Sequence, residues 1–178
     1  MFWRATEDCA ARRQNKKFNL LNSESWLDNF FWRISNPPMP ETIFRHTHRV
    51  TYAECTVGNH IYYARYLDLL EEARGEFFRA LEIPFLQLQN DGTIFPVIEA
   101  RLRYKISARY DDLLAIEIWL TRLQGVRINF SYRVRNQDGG LVLEAETFHT
   151  CAGLNEKPKR IPEALIERLQ PYLRESES

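Results

Sequence analysis

Between residues 61 and 81 the apolar side chains Tyr63, Tyr66, Leu67, Leu70, Ala73, Phe77, Phe78 and Leu81 recur at spacings of three and four, the period of an α-helix. They form one broad stripe, so a helix over this span must be buried along its length and the rest of the chain must cover it. That cover reads as β-structure. Residues 47–54 alternate, with His46, His48, Val50 and Tyr52 on one side and Thr47, Arg49 and Thr51 on the other. Four strand-like runs follow the helix, at 95–109, 113–123, 127–135 and 141–151. Turn chemistry separates them: Asn90-Asp91-Gly92, Tyr110-Asp111-Asp112, Gln124-Gly125 and Asn136-Gln137-Asp138-Gly139-Gly140. In the third run Val126, Ile128, Phe130, Tyr132 and Val134 alternate with Arg127, Asn129, Ser131, Arg133 and Arg135, which sets one face on a core and one face outward. Pro162 opens a C-terminal helix that runs to about residue 173. The order strand, long helix, four antiparallel strands specifies an α+β domain in which one curved sheet wraps one helix.

Residues 1–41 do not share this pattern. They carry Arg12-Arg13, Lys16-Lys17 and an Asn/Ser-rich middle, and they close on Asn36-Pro37-Pro38-Met39-Pro40, a boundary signal. Residues 25–34 suit a short amphipathic helix capped by Ser25 and using Trp26, Phe30 and Phe31. Met39 offers an internal translation start, under which this stretch is an upstream extension. The expected organisation is therefore 1–41 as a preface and 42–178 as one domain, in keeping with a length of 178 residues.

Charge and composition exclude several classes. Lys plus Arg and Asp plus Glu are both 24, so a general binder of nucleic acid or anionic membrane is not expected. No apolar run approaches the roughly 20 residues that span a bilayer, and the N-terminus lacks a signal peptide's apolar stretch, which predicts a cytoplasmic protein. Cys9, Cys55 and Cys151 have no CxxC spacing and read as reduced thiols. His46 and His48 share a strand face without a third ligand nearby, so no metal site is expected. Nucleophile elbows, phosphate loops and zinc-protease motifs are all absent from the sequence.

The junction between the first strand and the long helix is where chemistry concentrates. Glu54, Cys55, Thr56, Asn59 and His60 fall within seven residues of one another, just before a helix start whose free N–H groups and positive dipole end suit an oxyanion. A plainer reading makes Thr56 or Asn59 a helix cap and Gly58 a turn residue. Two basic groups stand out elsewhere. Arg101, Arg103, Lys105 and Arg109 alternate on one strand with no acid between them, and Lys157, Lys159 and Arg160 cluster near the C-terminus.

Three segments carry a family resemblance: Tyr52-Ala53-Glu54-x-x-x-Gly58-x-His60-Ile61-x-x-Ala64-Arg65-Tyr66-Leu67 with Glu71-Glu72-Ala73-Arg74-x-Glu76-Phe77-Phe78; Tyr104-x-x-x-Ala108-x-Tyr110-Asp111-Asp112-x-Leu114; and Lys157-Pro158-x-Arg160-Ile161-Pro162. Over residues 44–173 the chain resembles the hotdog-fold acyl-CoA thioesterases of the 4-hydroxybenzoyl-CoA thioesterase-like branch. The resemblance implies a helix wrapped by a five-stranded antiparallel sheet, a homodimer or homotetramer, acyl-CoA bound between subunits, and neither metal nor prosthetic group. It also implies a backbone N–H at about Tyr63 that polarises the thioester carbonyl, and a catalytic aspartate at the position held here by Thr56. A threonine hydroxyl is no general base near neutrality. Glu54 is then the first candidate base, His60 the second and Glu71 the third, while a plainer role for Glu54 is an ion pair with Arg74. Helix N–H donors contribute about 10²–10³ each to stabilising an oxyanion, so turnover without a strong base is compatible with this pattern. Arg101 and Arg103, with Lys157, Lys159 and Arg160, are the expected partners of the CoA phosphates. The leading expectation is an acyl-CoA or aroyl-CoA thioesterase. A non-catalytic hotdog module that binds acyl-CoA or acyl carrier protein, and a dehydratase-like hotdog using His60, are the alternatives.

Overall fold

The computed structural model describes residues 42–174. The segment 25–34, the proline boundary and Cys9 lie outside them. Strands β1 (Phe44–Arg49), β4 (Val97–Tyr104), β5 (Leu113–Gln124), β6 (Arg127–Arg135) and β7 (Leu141–Thr150) form an antiparallel sheet in the order β1-β5-β6-β7-β4. Two short strands, β2 (Cys55–Thr56) and β3 (His60–Ile61), make a separate hairpin before the long helix α1 (Arg65–Ala80). Helices α2 (Phe85–Asn90) and α3 (Glu163–Leu169) complete the domain.

Period-two patterning fixes the inner face of the sheet. Ile116, Ile118, Leu120, Phe130, Tyr132, Val134 and Leu143 are essentially inaccessible to solvent and meet Leu70, Ala73, Phe77 and Phe78 of α1. Each such side chain contributes about 1.5–3 kcal/mol on burial. Phe77 is the hub, with ring contacts to Phe44, Phe78, Phe130 and Tyr172 at centroid distances of 4.8–6.3 Å.

Several boundaries differ from the sequence expectation for local reasons. β1 ends at Arg49 because Thr51 and Glu54 form a capping box that turns Tyr52–Glu54 into a 3-10 turn. α1 begins at Arg65 instead of residue 61, since Ile61 is drawn into β3 opposite Cys55. Within α1 it is Leu69, not Leu67, that joins the buried stripe. β4 stops at Tyr104, after which residues 105–112 form a loop closed by Arg109 N–H donating to Asp112. α2 was not anticipated. Its six residues fall in a stretch too short to show helical period, and Leu88 alone is buried. No helix among the described residues is long and apolar enough to cross a membrane.

Replacing Phe77 by Ala should lower unfolding stability by about 3–5 kcal/mol, read as a fall in the urea midpoint with little change in slope. A loss under 1 kcal/mol would contradict the central position given to this ring.

Candidate active site

The β2–β3 hairpin places two of the predicted site residues side by side. Its turn passes through Gly58 (φ 97°) and Asn59 (φ 55°), left-handed conformations that suit Gly and Asn, and Thr56 thereby pairs directly with His60. The His60 imidazole packs over Gly58, where an added Cβ would lie 3.1 Å from Nδ1. Thr56, His60 and Tyr63 line one cleft of about 460 Å³ with Tyr66, Tyr104 and Lys105.

This cleft opens onto the start of α1. Its cap residue Ala64 provides no side-chain cap, and among the described residues the N–H groups of Tyr63 and Ala64 donate to no acceptor. The peptide that carries the Tyr63 N–H is held by its Tyr62 carbonyl, which accepts from the Arg65 N–H at 2.9 Å, and Tyr104 Oη fixes the following peptide by donating to the Tyr63 carbonyl at 3.0 Å. Tyr104 is braced edge-on by Tyr66, whose hydroxyl accepts from the Ala108 N–H at 3.3 Å. A fixed peptide with a free N–H at the positive end of a helix is a preorganised oxyanion donor.

Glu54 is not in this cleft. Its carboxylate accepts from Thr51 N–H at 2.6 Å and Thr51 Oγ1 at 2.7 Å and lies 2.9 Å from His48 Nε2. Burial pushes its pKa up, yet these Thr51 and His48 bonds outweigh burial and leave the pKa below the ordinary value. His48 Nδ1 and His46 Nε2 both contact Glu72, so the two histidines tie β1 to α1. The expected ion pair between Glu54 and Arg74 does not form either. Sequence spacing could not show this, because the capping box swings Glu54 back toward Thr51.

A second cleft, of about 360 Å³, lies farther along α1 between the helix, α2 and the start of β4. Its walls are mainly apolar, from Phe78, Phe85, Leu88, Phe95 and Phe130; Gln89 and Thr93 also line it, and its ionisable groups are Glu71, Arg74 and His149. Behind it runs a buried hydrogen-bond chain whose direction is set by its last acceptor, the Phe95 carbonyl. His149 Nδ1–H donates to that oxygen at 3.0 Å, so Nε2 accepts from Thr147 Oγ1 at 2.8 Å. Thr147 in turn accepts from Tyr132 Oη, and Tyr132 from Arg74 Nη1, each at 3.0 Å. Burial, helped by the Arg74 charge, pushes the His149 pKa down to about 4, so the imidazole is neutral. The sequence marked Arg74 as a motif position and as a partner for Glu54, and gave no signal for His149.

The basic residues divide between two places. Arg101 and Arg103 lie on the sheet face turned away from α1, beside Trp119, Arg133 and Arg174. The acids that answer them come mainly from β7: Arg101 contacts Glu99 at 2.7 Å and Glu146 at 4.0 Å, and the neighbouring Lys105 pairs with Glu144 at 3.0 Å. Lys157, Lys159 and Arg160 follow β7, and Lys159 Nζ donates at 2.6 Å to the carbonyl of Gly92, next to the apolar cleft.

With this geometry in place, comparison with known proteins identifies the class. Residues 50–169 match the thioesterase-like superfamily. The chain is 31% identical over 129 residues to the acyl-CoA thioester hydrolase YbgC of Escherichia coli, covering 72% of this chain and 96% of that one. It is 29% identical to a 1,4-dihydroxy-2-naphthoyl-CoA hydrolase of Thermosynechococcus vestitus, covering 70% and 84%. Among solved structures, a hypothetical protein of Aquifex aeolicus superposes with TM-score 0.68 at 30% identity, over 71% of this chain and 98% of that one. A 1,4-dihydroxy-2-naphthoyl-CoA thioesterase of Synechocystis gives the same TM-score at 18% identity, over 72% and 96%. The fold is the hotdog fold of these thioesterases. This chain belongs to the thioesterase-like superfamily.

Glu54→Gln should act on stability and spare turnover. A carboxylate with a depressed native pKa stabilises above its unfolded-state value and loses that contribution as pH falls through the native value. The thermal midpoint of the variant should therefore lie below wild type at pH 7, with the gap closing in acid. Loss of turnover without loss of stability would return Glu54 to a catalytic role.

Proposed function

We propose that the protein hydrolyses acyl-CoA thioesters to a free acid and CoA, with the helix start of one copy working against the apolar cleft of a second. The observation that carries this reading is the Tyr63 N–H, which donates to no acceptor among the described residues, in a peptide held by the bond from Arg65 N–H to the Tyr62 carbonyl, on a residue that lines one cleft with Thr56 and His60. The thioester carbonyl oxygen accepts from this N–H and is further stabilised by the α1 dipole, worth about 10²–10³ in rate. His60 takes a proton from water as the water oxygen attacks the carbonyl carbon, a role worth about 10²–10⁴. The tetrahedral intermediate collapses with cleavage of the C–S bond, and the proton on His60 passes to the departing sulfur. Thr56, paired opposite His60, orients the water. The names of the YbgC and naphthoyl-CoA relatives support a CoA thioester as substrate.

The proposed dimer uses the sheet edge. Among the described residues β4 bonds to β7 on one side only, and Val97, Ile98 and Tyr104 on it, with Ile106 just after it, are exposed. Val97 at its start lines the apolar cleft, whereas Tyr104 at its end lines the helix-start cleft. Antiparallel pairing of β4 with its copy about a two-fold axis sets the start of one strand beside the end of the other. The two kinds of cleft then meet, twice per dimer. Lys159, whose Nζ reaches the Gly92 carbonyl beside the apolar cleft, is assigned with its neighbours Lys157 and Arg160 to the CoA phosphates, while Arg101 and Arg103, on the outer face, add attraction at longer range. The free thiols Cys55 and Cys151 suit a reducing cytoplasm.

Free-thiol release from a panel of aliphatic and aromatic acyl-CoAs tests the assignment. Wild type should release thiol well above the buffer rate, His60→Gln should fall about 100-fold in kcat, and Tyr104→Phe should fall about tenfold through loss of the Tyr63 anchor. Tight acyl-CoA binding with no thiol release would instead favour a binding module, to which the threonine at position 56 would be suited. Conversion of a 3-hydroxyacyl-CoA to its 2-enoyl product without thiol release would favour the dehydratase-like alternative.

A further inference from the structure

Arg74 is 8% exposed, yet no carboxylate among the described residues forms an ion pair with it. A guanidinium carries five N–H donors, and its one hydrogen bond here runs from Nη1 to the Tyr132 hydroxyl. Among the described residues no fully buried side-chain nitrogen lacks a partner, so the unpaired nitrogens of Arg74 open onto the cleft that it lines. The groups behind it are neutral: the Tyr132 phenol is pushed up by burial, and His149 is pushed down to about 4. The other charge on the cleft, Glu71, is exposed and beyond ion-pair distance.

Burying a cation without an anion is expensive, and an apolar cleft makes it more so. The same cleft gives an incoming oxyanion a strong partner, because low dielectric and a braced donor fork favour a charge-assisted bond. The Tyr132–Thr147–His149 chain fixes one edge of the guanidinium and aims the remainder at the cavity. Apolar walls around one buried cation fit a short acyl chain or an aromatic ring that ends in a negative oxygen.

Resting on the composite thioesterase site proposed above, we infer that Arg74 selects CoA thioesters whose acyl group carries an anionic oxygen, a carboxylate or an ionised phenol, which its guanidinium binds inside the apolar cleft. Arg74 is thus a specificity residue that touches the acyl end, remote from the thioester carbonyl held by Tyr63 of the other copy.

Two matched pairs test this: glutaryl-CoA against pentanoyl-CoA for a carboxylate, and 4-hydroxybenzoyl-CoA against 4-methylbenzoyl-CoA for a phenol. Wild type should prefer the oxygen-bearing member of at least one pair by about tenfold or more in kcat/KM, and the pair that shows it identifies the oxygen. Arg74→Gln should erase that preference by lowering the oxygen-bearing member far more than the neutral one, and Arg74→Lys should retain part of it. Calorimetric Kd values for the same four ligands report the preference independently of turnover. If none is hydrolysed but the Arg74-dependent preference persists in Kd, the hydrolase reading fails and the Arg74 assignment stands. Absence of preference in both pairs, or an equal fall for charged and neutral ligands in Arg74→Gln, would overturn it.

Discussion

Burial of α1 against the inner face of the sheet is the constraint from which the remaining features follow. A helix enclosed along its length satisfies its interior backbone internally, so its unpaired N–H groups collect at one end. Here that end has no side-chain cap, and the hairpin just before it brings Thr56 and His60 into one cleft with Tyr63. The hydrogen bonds that a cap would have made are left for a substrate. Phe77 and its ring contacts hold the helix in place, and the Tyr104 hydroxyl fixes the last peptide before it.

The same packing leaves β4 as an edge unpaired among the described residues. A strand this exposed, with apolar side chains at both ends, is a template for pairing. Because its two ends border different clefts, pairing it with a copy solves the edge problem and builds a site in one step. On this account neither cleft alone is sufficient. The helix start has a donor and a base but only an open surface for the acyl group, and the apolar cleft has walls and a cation but no donor for the thioester oxygen.

The sheet, its four long strands and the helix were legible because each rests on periodicity, which is a local property of the chain. Two of the site residues read from the helix junction, Thr56 and His60, do come together with Tyr63, because the turn at Gly58-Asn59 is local too. Glu54 stands outside the cleft because its partner is Thr51, a choice made by cap geometry that counting along a strand does not reveal. Arg101 has a local acid in Glu99, but Glu146 and Glu144, which approach Arg101 and Lys105, sit on β7 some forty residues away, and only strand register brings them together. The Arg74–Tyr132–Thr147–His149 chain joins three elements distant in sequence, and nothing local announces it.

Subunit complementation tests the shared site most directly. His60→Gln disables the helix start, and Gln89→Trp plugs the apolar cleft from its exposed rim. Each variant alone should be poorly active. After unfolding and refolding as an equimolar mixture, half of the dimers are mixed and each has one intact site. Thiol release should then recover to about a quarter of the wild-type rate per site. A mixture no more active than the average of the two variants would show that base and cleft belong to one and the same chain, and would contradict the account.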